Sequence, residues 1–203
     1  MVFKLNKEDQ DKIISWYAGN IRKFGENIKA LQWKTKKSQQ LRFQVLTEIA
    51  DLSNKTILDA GCGFGDLFGF IKEKGIKFKY CGCDITPPMI EIAKKLHSNL
   101  EYAAIDFLEL PCKRKVDYVI ASGLFGIKIS ESDFFLKSAV RKMFNFCTKG
   151  VAFNCLGNYV DYKEDHLYYA KQEETFAFCR SLTSKVVLRN DYLPWEFTIY
   201  LYK

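Results

Sequence analysis

Three carboxylates stand where a nucleoside can be held. Asp59 lies in the run ILDAGCGFGDLFGF, residues 57–70, just ahead of glycines at 61, 63 and 65; Asp84 closes the run FKYCGCD; Asp106 follows LEYAAI. A strand ending in glycines at the entrance to a helix brings backbone close to a ligand, because a side chain there would fill the ligand's space. The dinucleotide fingerprint has its third glycine at the sixth position and aims helix N–H groups at a pyrophosphate. Here the sixth position is Asp66, whose carboxylate is expected to cap those N–H groups and to disfavour phosphate. The loop therefore suits a nucleoside ligand without phosphates. Asp84 comes about 20 residues after the glycines, where a carboxylate accepts from both ribose hydroxyls. Asp106 offers a short acceptor for the adenine amino group, the backbone N–H of Phe107 reads a ring nitrogen, and Ile85 and Met89 cover the purine faces. Taken singly, each acid is an ordinary strand-end turn residue; three in sheet order make a site.

The elements that must position these residues follow from periodicity. From Lys55 onward, short apolar runs (TILDA, FKYCGCD, LEYAAI, VDYVIAS, GVAFNCL, KVVLRN, EFTIYLY) alternate with segments of helical period, which predicts parallel strands with helices on both faces. Thr86 is placed to cap a helix opened by Pro87, Ser130 with Asp133 to start another, and Gly75 and Gly150 to stop helices. The few residues around Asn190–Pro194 leave no room for a crossover helix, so the last two strands are expected to pair antiparallel. Residues 1–54 carry two helical patterns, with caps expected at Asn6 and Ser38, and read as a helical cap packed on a core of residues 55–203, one structural domain overall.

Composition narrows the class. The chain has 203 residues, 48% hydrophobic and 27% charged, with a net charge of +7, which fits one globular domain. No run approaches the ~18 apolar residues of a membrane span, and no signal-peptide core is present. Seven cysteines, several inside apolar runs, fit a reduced, cytoplasmic setting. Cys81-Gly82-Cys83 lacks zinc-site spacing, and no metal is expected. Arg22, Lys23, Lys29, Lys34, Lys36, Lys37 and Arg42 crowd the N-terminal fifth with Glu26 as the only acid among them, either a patch for an anionic partner or solvated helix faces.

On the residues ILDAGCGFG, CGCDITPPMIEIAKK, AAIDF and NDYLPWEFTIYLYK, the chain from Lys55 to its end resembles the class I S-adenosylmethionine-dependent methyltransferases. ALQWKTKKSQQLRFQVL resembles the leader of a bacterial branch of small members of that family. The resemblance implies an α/β, Rossmann-like seven-stranded sheet of order 3-2-1-4-5-7-6 with the last strand antiparallel, and S-adenosylmethionine as cofactor. Carried over, Asp59, Ala60, Gly61 and Gly63 line its methionine part, Asp84 the ribose, Ile85 and Met89 the adenine faces, and Asp106 with Phe107 the adenine edge. Ser122 approaches the methionine end, and Arg42 pairs with the cofactor carboxylate. The Asn/Asp-Pro-Pro-aromatic turn of amine-modifying relatives is replaced by ASGLFG, which argues against DNA bases and glutamine as acceptors. A small-molecule acceptor, methylated on O or N, is the leading expectation; RNA held by the basic leader, or a cofactor-binding subunit without catalysis, are the alternatives. The segment GNYVDYKEDHLYYAK, residues 157–171, is expected to face the acceptor, with His166 as candidate base and Tyr17, Trp33, Tyr192 and Trp195 as further walls.

Overall fold

In the computed structural model, which describes residues 3–112 and 114–203, two helices precede the sheet, α1 (Lys7–Phe24) and α2 (Lys36–Thr47). Strands and helices then alternate: β1 (Thr56–Ala60), α3 (Asp66–Glu73), β2 (Lys79–Asp84), α4 (Pro87–Leu96), β3 (Glu101–Ala104), β4 (Val116–Ala121), α5 (Ser132–Phe146), β5 (Cys147–Leu156), α6 (Gln172–Leu182), β6 (Val186–Arg189) and β7 (Glu196–Tyr202). The strands form one sheet in the order β3-β2-β1-β4-β5-β7-β6. β7 runs antiparallel between β5 and β6, and the remaining pairs are parallel. This is the topology the resemblance implied.

Successive strand residues face opposite sides of a sheet, and the core divides accordingly. Ile57, Ile120, Ala152 and Tyr200 meet Phe43 and Leu46 of α2 and Leu67 and Ile71 of α3. Leu58, Val119, Val151, Phe153 and Phe197 meet Leu136, Val140 and Met143 of α5. A smaller cluster of Ala30, Phe64 and Met89, with Tyr17 and Leu31 against it, joins α1, the segment 25–35, the glycine loop and α4. All seven cysteines are free thiols.

The two leading helices are anchored by polar contacts as well as by apolar packing. Asn6 caps α1, its Oδ1 accepting from the N–H of Asp9 at 2.8 Å. The buried Asp9 carboxylate in turn accepts from the backbone N–H and hydroxyl of Ser130 at 3.1 and 2.5 Å, which fixes the start of α1 to the loop before α5. α2 is tied to β7: the Tyr200 and Tyr202 hydroxyls donate to the carbonyls of Val45 and Ile49. The guanidinium of Arg42, 6% exposed, meets the carboxylate of Glu196, 4% exposed, with Nη2 to Oε2 at 2.5 Å and Nε to Oε2 at 2.6 Å.

Several local expectations are corrected. Thr35, not Ser38, caps α2, its hydroxyl accepting from the Ser38 N–H at 3.1 Å. α5 begins at Ser132, because Ser130 is engaged by Asp9 and Asp133 accepts from the Tyr168 hydroxyl. Gly150 stops no helix; it lies within β5, where a Cβ would stand 2.8 Å from the carbonyl oxygen of Leu201. Gly75 does follow α3 with φ of +74°. Thr86 occupies the cap position before Pro87, yet its buried hydroxyl makes no capping bond. Asp66 opens α3 without capping it and instead accepts from Nε2 of Gln39 at 2.8 Å.

The buried pair sets a stability prediction. Arg42→Met leaves the Glu196 carboxylate buried and uncompensated, so urea unfolding should register a loss of about 3–5 kcal/mol. Most of that loss should return in the Arg42→Met/Glu196→Gln double variant, and a double variant as weak as the single one would show that the pair is not what joins α2 to β7.

Candidate functional site

A cavity of about 860 Å³ opens where the carboxyl ends of β1, β2, β4 and β5 meet the leader helices. Parallel strands carry their connecting loops to this edge, and ligands of open α/β sheets bind there.

The floor is set by the loop after β1. Gly61, Gly63 and Gly65 adopt φ of +74°, +53° and +82°, conformations that disfavour any side chain. The N–H groups of Gly61 and Cys62 both donate to the carbonyl of Cys83, at 2.8 and 3.0 Å, and the N–H of Gly63 donates to Oδ2 of Asp84 at 3.1 Å. The loop is thus stitched to the end of β2. Oδ1 of Asp84 accepts from the Thr86 N–H at 2.8 Å. An ionised carboxylate has about four acceptor positions, so two backbone donors leave capacity for two hydroxyls. Burial pushes the Asp84 carboxyl above the usual range, against the pull of its Thr86 and Gly63 donors.

Asp59, 2% exposed, accepts from the Tyr80 hydroxyl at 2.7 Å. Burial raises its pKa to about 7; the Tyr80 bond opposes this, while the charges of Asp84 and Asp66 add to it. Ala60 is fully buried beneath the loop. Asp106 Oδ1 accepts from the Leu108 N–H at 2.9 Å, and its Oδ2 is buried without a partner, a free acceptor of the kind an exocyclic amine satisfies. Phe107 sends its ring into the core beside Phe146, while Ile85 and Met89 line the cavity between Asp84 and Asp106. Ser122, one residue past β4, also lines the cavity, and its hydroxyl is buried and unpartnered. Asp59, Asp84, Asp106, Gly61, Gly63 and Ser122 are therefore brought to one cavity, while Gly65 lies outside its lining against Tyr102 and His97; the free acceptors of the acids suit the hydroxyls and amine of a nucleoside.

Arg42 lines the same cavity but is not a free cation. Glu196 occupies its guanidinium, the carbonyl of Ser38 accepts from Nη1 at 2.9 Å, and its Cζ lies 4.8 Å from the Trp33 ring centroid. Asn154 completes the cluster, donating to Glu196 at 2.6 Å and accepting from the Gly123 N–H at 2.9 Å. The carboxylate expected from a ligand is supplied by the chain itself. Arg42 also leaves the basic surface group, whose members Arg22, Lys23, Lys29, Lys34, Lys36 and Lys37 are exposed.

At the mouth, His166 stacks on Trp16 with centroids 4.8 Å apart, and its Nε2 lies 3.7 Å from Glu164. Trp16, Phe24, Tyr159, Tyr162 and Trp195 are all exposed and all line this opening. Tyr17 and Trp33 line the interior. Tyr192 turns its hydroxyl to Thr198 and Glu196 instead. Gln32 and Leu31 of the roof, Leu124 after β4, and Asn154 are cavity residues the sequence reading passed over. The φ of +64° at Gln32 has no sequence signal, and only the irregular stretch between two helix patterns marks this segment as a cover.

Comparison with known proteins agrees with this architecture. The family model described as a methyltransferase domain matches residues 57–150. A protein of Mycobacterium tuberculosis named as a methyltransferase is 33% identical over 156 residues, covering 73% of this chain and 93% of the relative. The magnesium protoporphyrin IX methyltransferase of Synechocystis, solved with bound S-adenosylmethionine, superposes with a TM-score of 0.68 at 11% identity over 99% of this chain and 100% of that one. An N-methyltransferase of Bradyrhizobium japonicum, solved with S-adenosylhomocysteine, gives 0.67 at 13% identity over 92% and 97%. Together with the strand order and the glycine loop, these matches establish that the chain belongs to the class I S-adenosylmethionine-dependent methyltransferases.

Proposed function

We propose that the chain transfers a methyl group from S-adenosylmethionine to an oxygen or nitrogen of a small-molecule acceptor that enters through the aromatic mouth. The carrying observation is one cavity that runs from the acids at the ends of β1, β2 and β3 to the exposed ring of Trp16, Phe24, Tyr159, Tyr162 and Trp195. Exposed apolar surface gathered around one opening marks a binding surface, and the volume falls within the ~300–1,000 Å³ of small-molecule sites.

In this reading Asp84 accepts from the ribose hydroxyls, Asp106 Oδ2 from the adenine amine, and Ile85 and Met89 sandwich the base. Asp59, Gly61, Gly63 and Ser122 border the methionine part. Bound there, the cofactor supplies a methyl group on a sulfonium, already activated toward displacement. The chain's own task is to align the acceptor and exclude water. Trp33, Leu31 and Leu124 close the cavity over the glycine loops, and the aromatic collar holds the acceptor. His166 stands in that collar, an imidazole available to a hydroxyl acceptor.

The direct experiment incubates the protein with isotopically labelled methyl donor in cell extract and identifies labelled products by mass spectrometry. A labelled small molecule is the expected product, and label found only in RNA or protein overturns the acceptor class. Asp84→Ala should raise the Kd for S-adenosylhomocysteine at least about tenfold, since hydrogen bonds to a charged group are lost; calorimetry showing an unchanged Kd removes the ribose assignment.

Asp59 gives a pH dependence. With its pKa near 7, the carboxyl is mostly neutral at pH 6 and anionic at pH 8. An anion at the methionine part favours the sulfonium cation but not the neutral thioether. The affinity for S-adenosylmethionine relative to S-adenosylhomocysteine should therefore rise between pH 6 and pH 8, and Asp59→Asn should flatten that rise.

A further inference from the structure

Two residues that line the cavity, Gln32 and Ser122, each carry a buried polar atom without a partner: Nε2 of Gln32 and Oγ of Ser122. Gln32 belongs to the roof, the segment 25–35 between α1 and α2, and its neighbours straddle the groove beneath. Cδ2 of Leu31 lies 3.0 Å from where a Cβ on Gly63 would stand, and the Trp33 ring lies 3.3 Å from the same point on Gly123. Gly63 follows β1 and Gly123 follows β4, and these strands are adjacent in the sheet. Gln32 therefore bridges the gap between the two loops. Ser122 is the residue before Gly123, so the orphaned amide and hydroxyl flank one roof-to-floor contact, that of Trp33 over Gly123.

Both atoms are held in costly arrangements. Gln32 has φ of +64°, uncommon for a residue with a side chain, and turn bonds from its own N–H to the Lys29 carbonyl and from the Trp33 N–H to the Ile28 carbonyl, each 3.1 Å, keep it there. Buried donors without acceptors are rare, and strained backbone gathers at ligand sites. A cation at this contact, Arg42 against Trp33, is already matched by Glu196. The two orphaned atoms are both neutral donors, the complement of a ligand group with two acceptor oxygens.

We propose that Gln32 and Ser122 form a neutral clamp for the methionine carboxylate of the cofactor, the Nε2–H and Oγ–H each donating to it. The clamp rests on the cofactor placement proposed above and takes the role that the sequence assigned to Arg42. It also makes the roof part of the binding site, because one of the two donors arrives on it.

Calorimetry on the full chain with two probes tests the clamp. S-adenosylhomocysteine carries the carboxylate; 5′-methylthioadenosine keeps the adenosine and thioether but lacks the amino-acid part. The wild type should bind both. Gln32→Glu, which keeps the shape and replaces the donor with a carboxylate, should raise the Kd for S-adenosylhomocysteine about 10–100-fold. Gln32→Met and Ser122→Ala should each raise it about tenfold, while the Kd for 5′-methylthioadenosine moves less than about twofold in all three. Thermal melting confirms that the variants are folded, and any one folded variant suffices for the comparison. Unchanged affinity for S-adenosylhomocysteine, or equal weakening of both probes, overturns the clamp alone. A wild type that binds neither probe overturns the cofactor placement itself.

Discussion

The donation of one backbone N–H, from Gly63 to Asp84, couples the two halves of the binding floor. It holds the left-handed turns of the glycine loop against the end of β2, and it aims the Asp84 carboxylate along the cavity. Neither strand can shift without the other, since the Gly61 and Cys62 N–H groups already bind the Cys83 carbonyl. The cluster of Met89, Phe64 and Ala30 packs behind this junction, so the position of α4, and through it the leader, depends on the same bond. A site built on strand ends and stitched loops is preorganised, and little ordering is left to be done when a ligand arrives.

The same floor concentrates negative charge. Asp59, Asp66 and Asp84 influence one another closely enough for the last two to raise the pKa of the first. Burying like charges works against folding, and here the partners that offset it are neutral: the Tyr80 hydroxyl, the Gln39 amide and backbone N–H groups. Among the described residues these three acids form no salt bridge, which leaves the field of the floor available to a positively charged ligand. Across the cavity the opposite arrangement holds, with Arg42 and Glu196 matched to each other. The buried ion pair secures the leader helix to the sheet beside the same cavity whose floor carries the unmatched acids.

What the sequence disclosed follows from range. Strand order, the Asn6 cap, the left-handed Gly75 and the gathering of Asp59, Asp84 and Asp106 depend on periodicity, on residues a few positions apart, or on motifs shared with the family. The errors concern residues whose partner is distant in sequence. Ser130 is drawn from a capping role by Asp9, 121 residues away, and Arg42 from a ligand by Glu196, 154 residues away. Gly150 is needed for the passage of β7, not for a helix end. Gln32 was invisible for a different reason: its importance is a backbone angle and a missing partner, neither of which residue type encodes.

The position of β7 has a consequence for how the chain assembles. It enters between β5 and β6, and the carboxylate that neutralises Arg42 is its first residue. Until residues 196–202 insert, the sheet is split and α2 carries a cation with no buried partner, so α2 cannot settle into its native seat. Closing a loop of that length carries an entropy cost that the buried pair and the β5–β7 pairing must offset. One of the earliest helices in the sequence thus owes its seat to one of the latest strands, and the roof beside it shares that dependence: the binding cavity is complete only with β7 in the middle of the sheet.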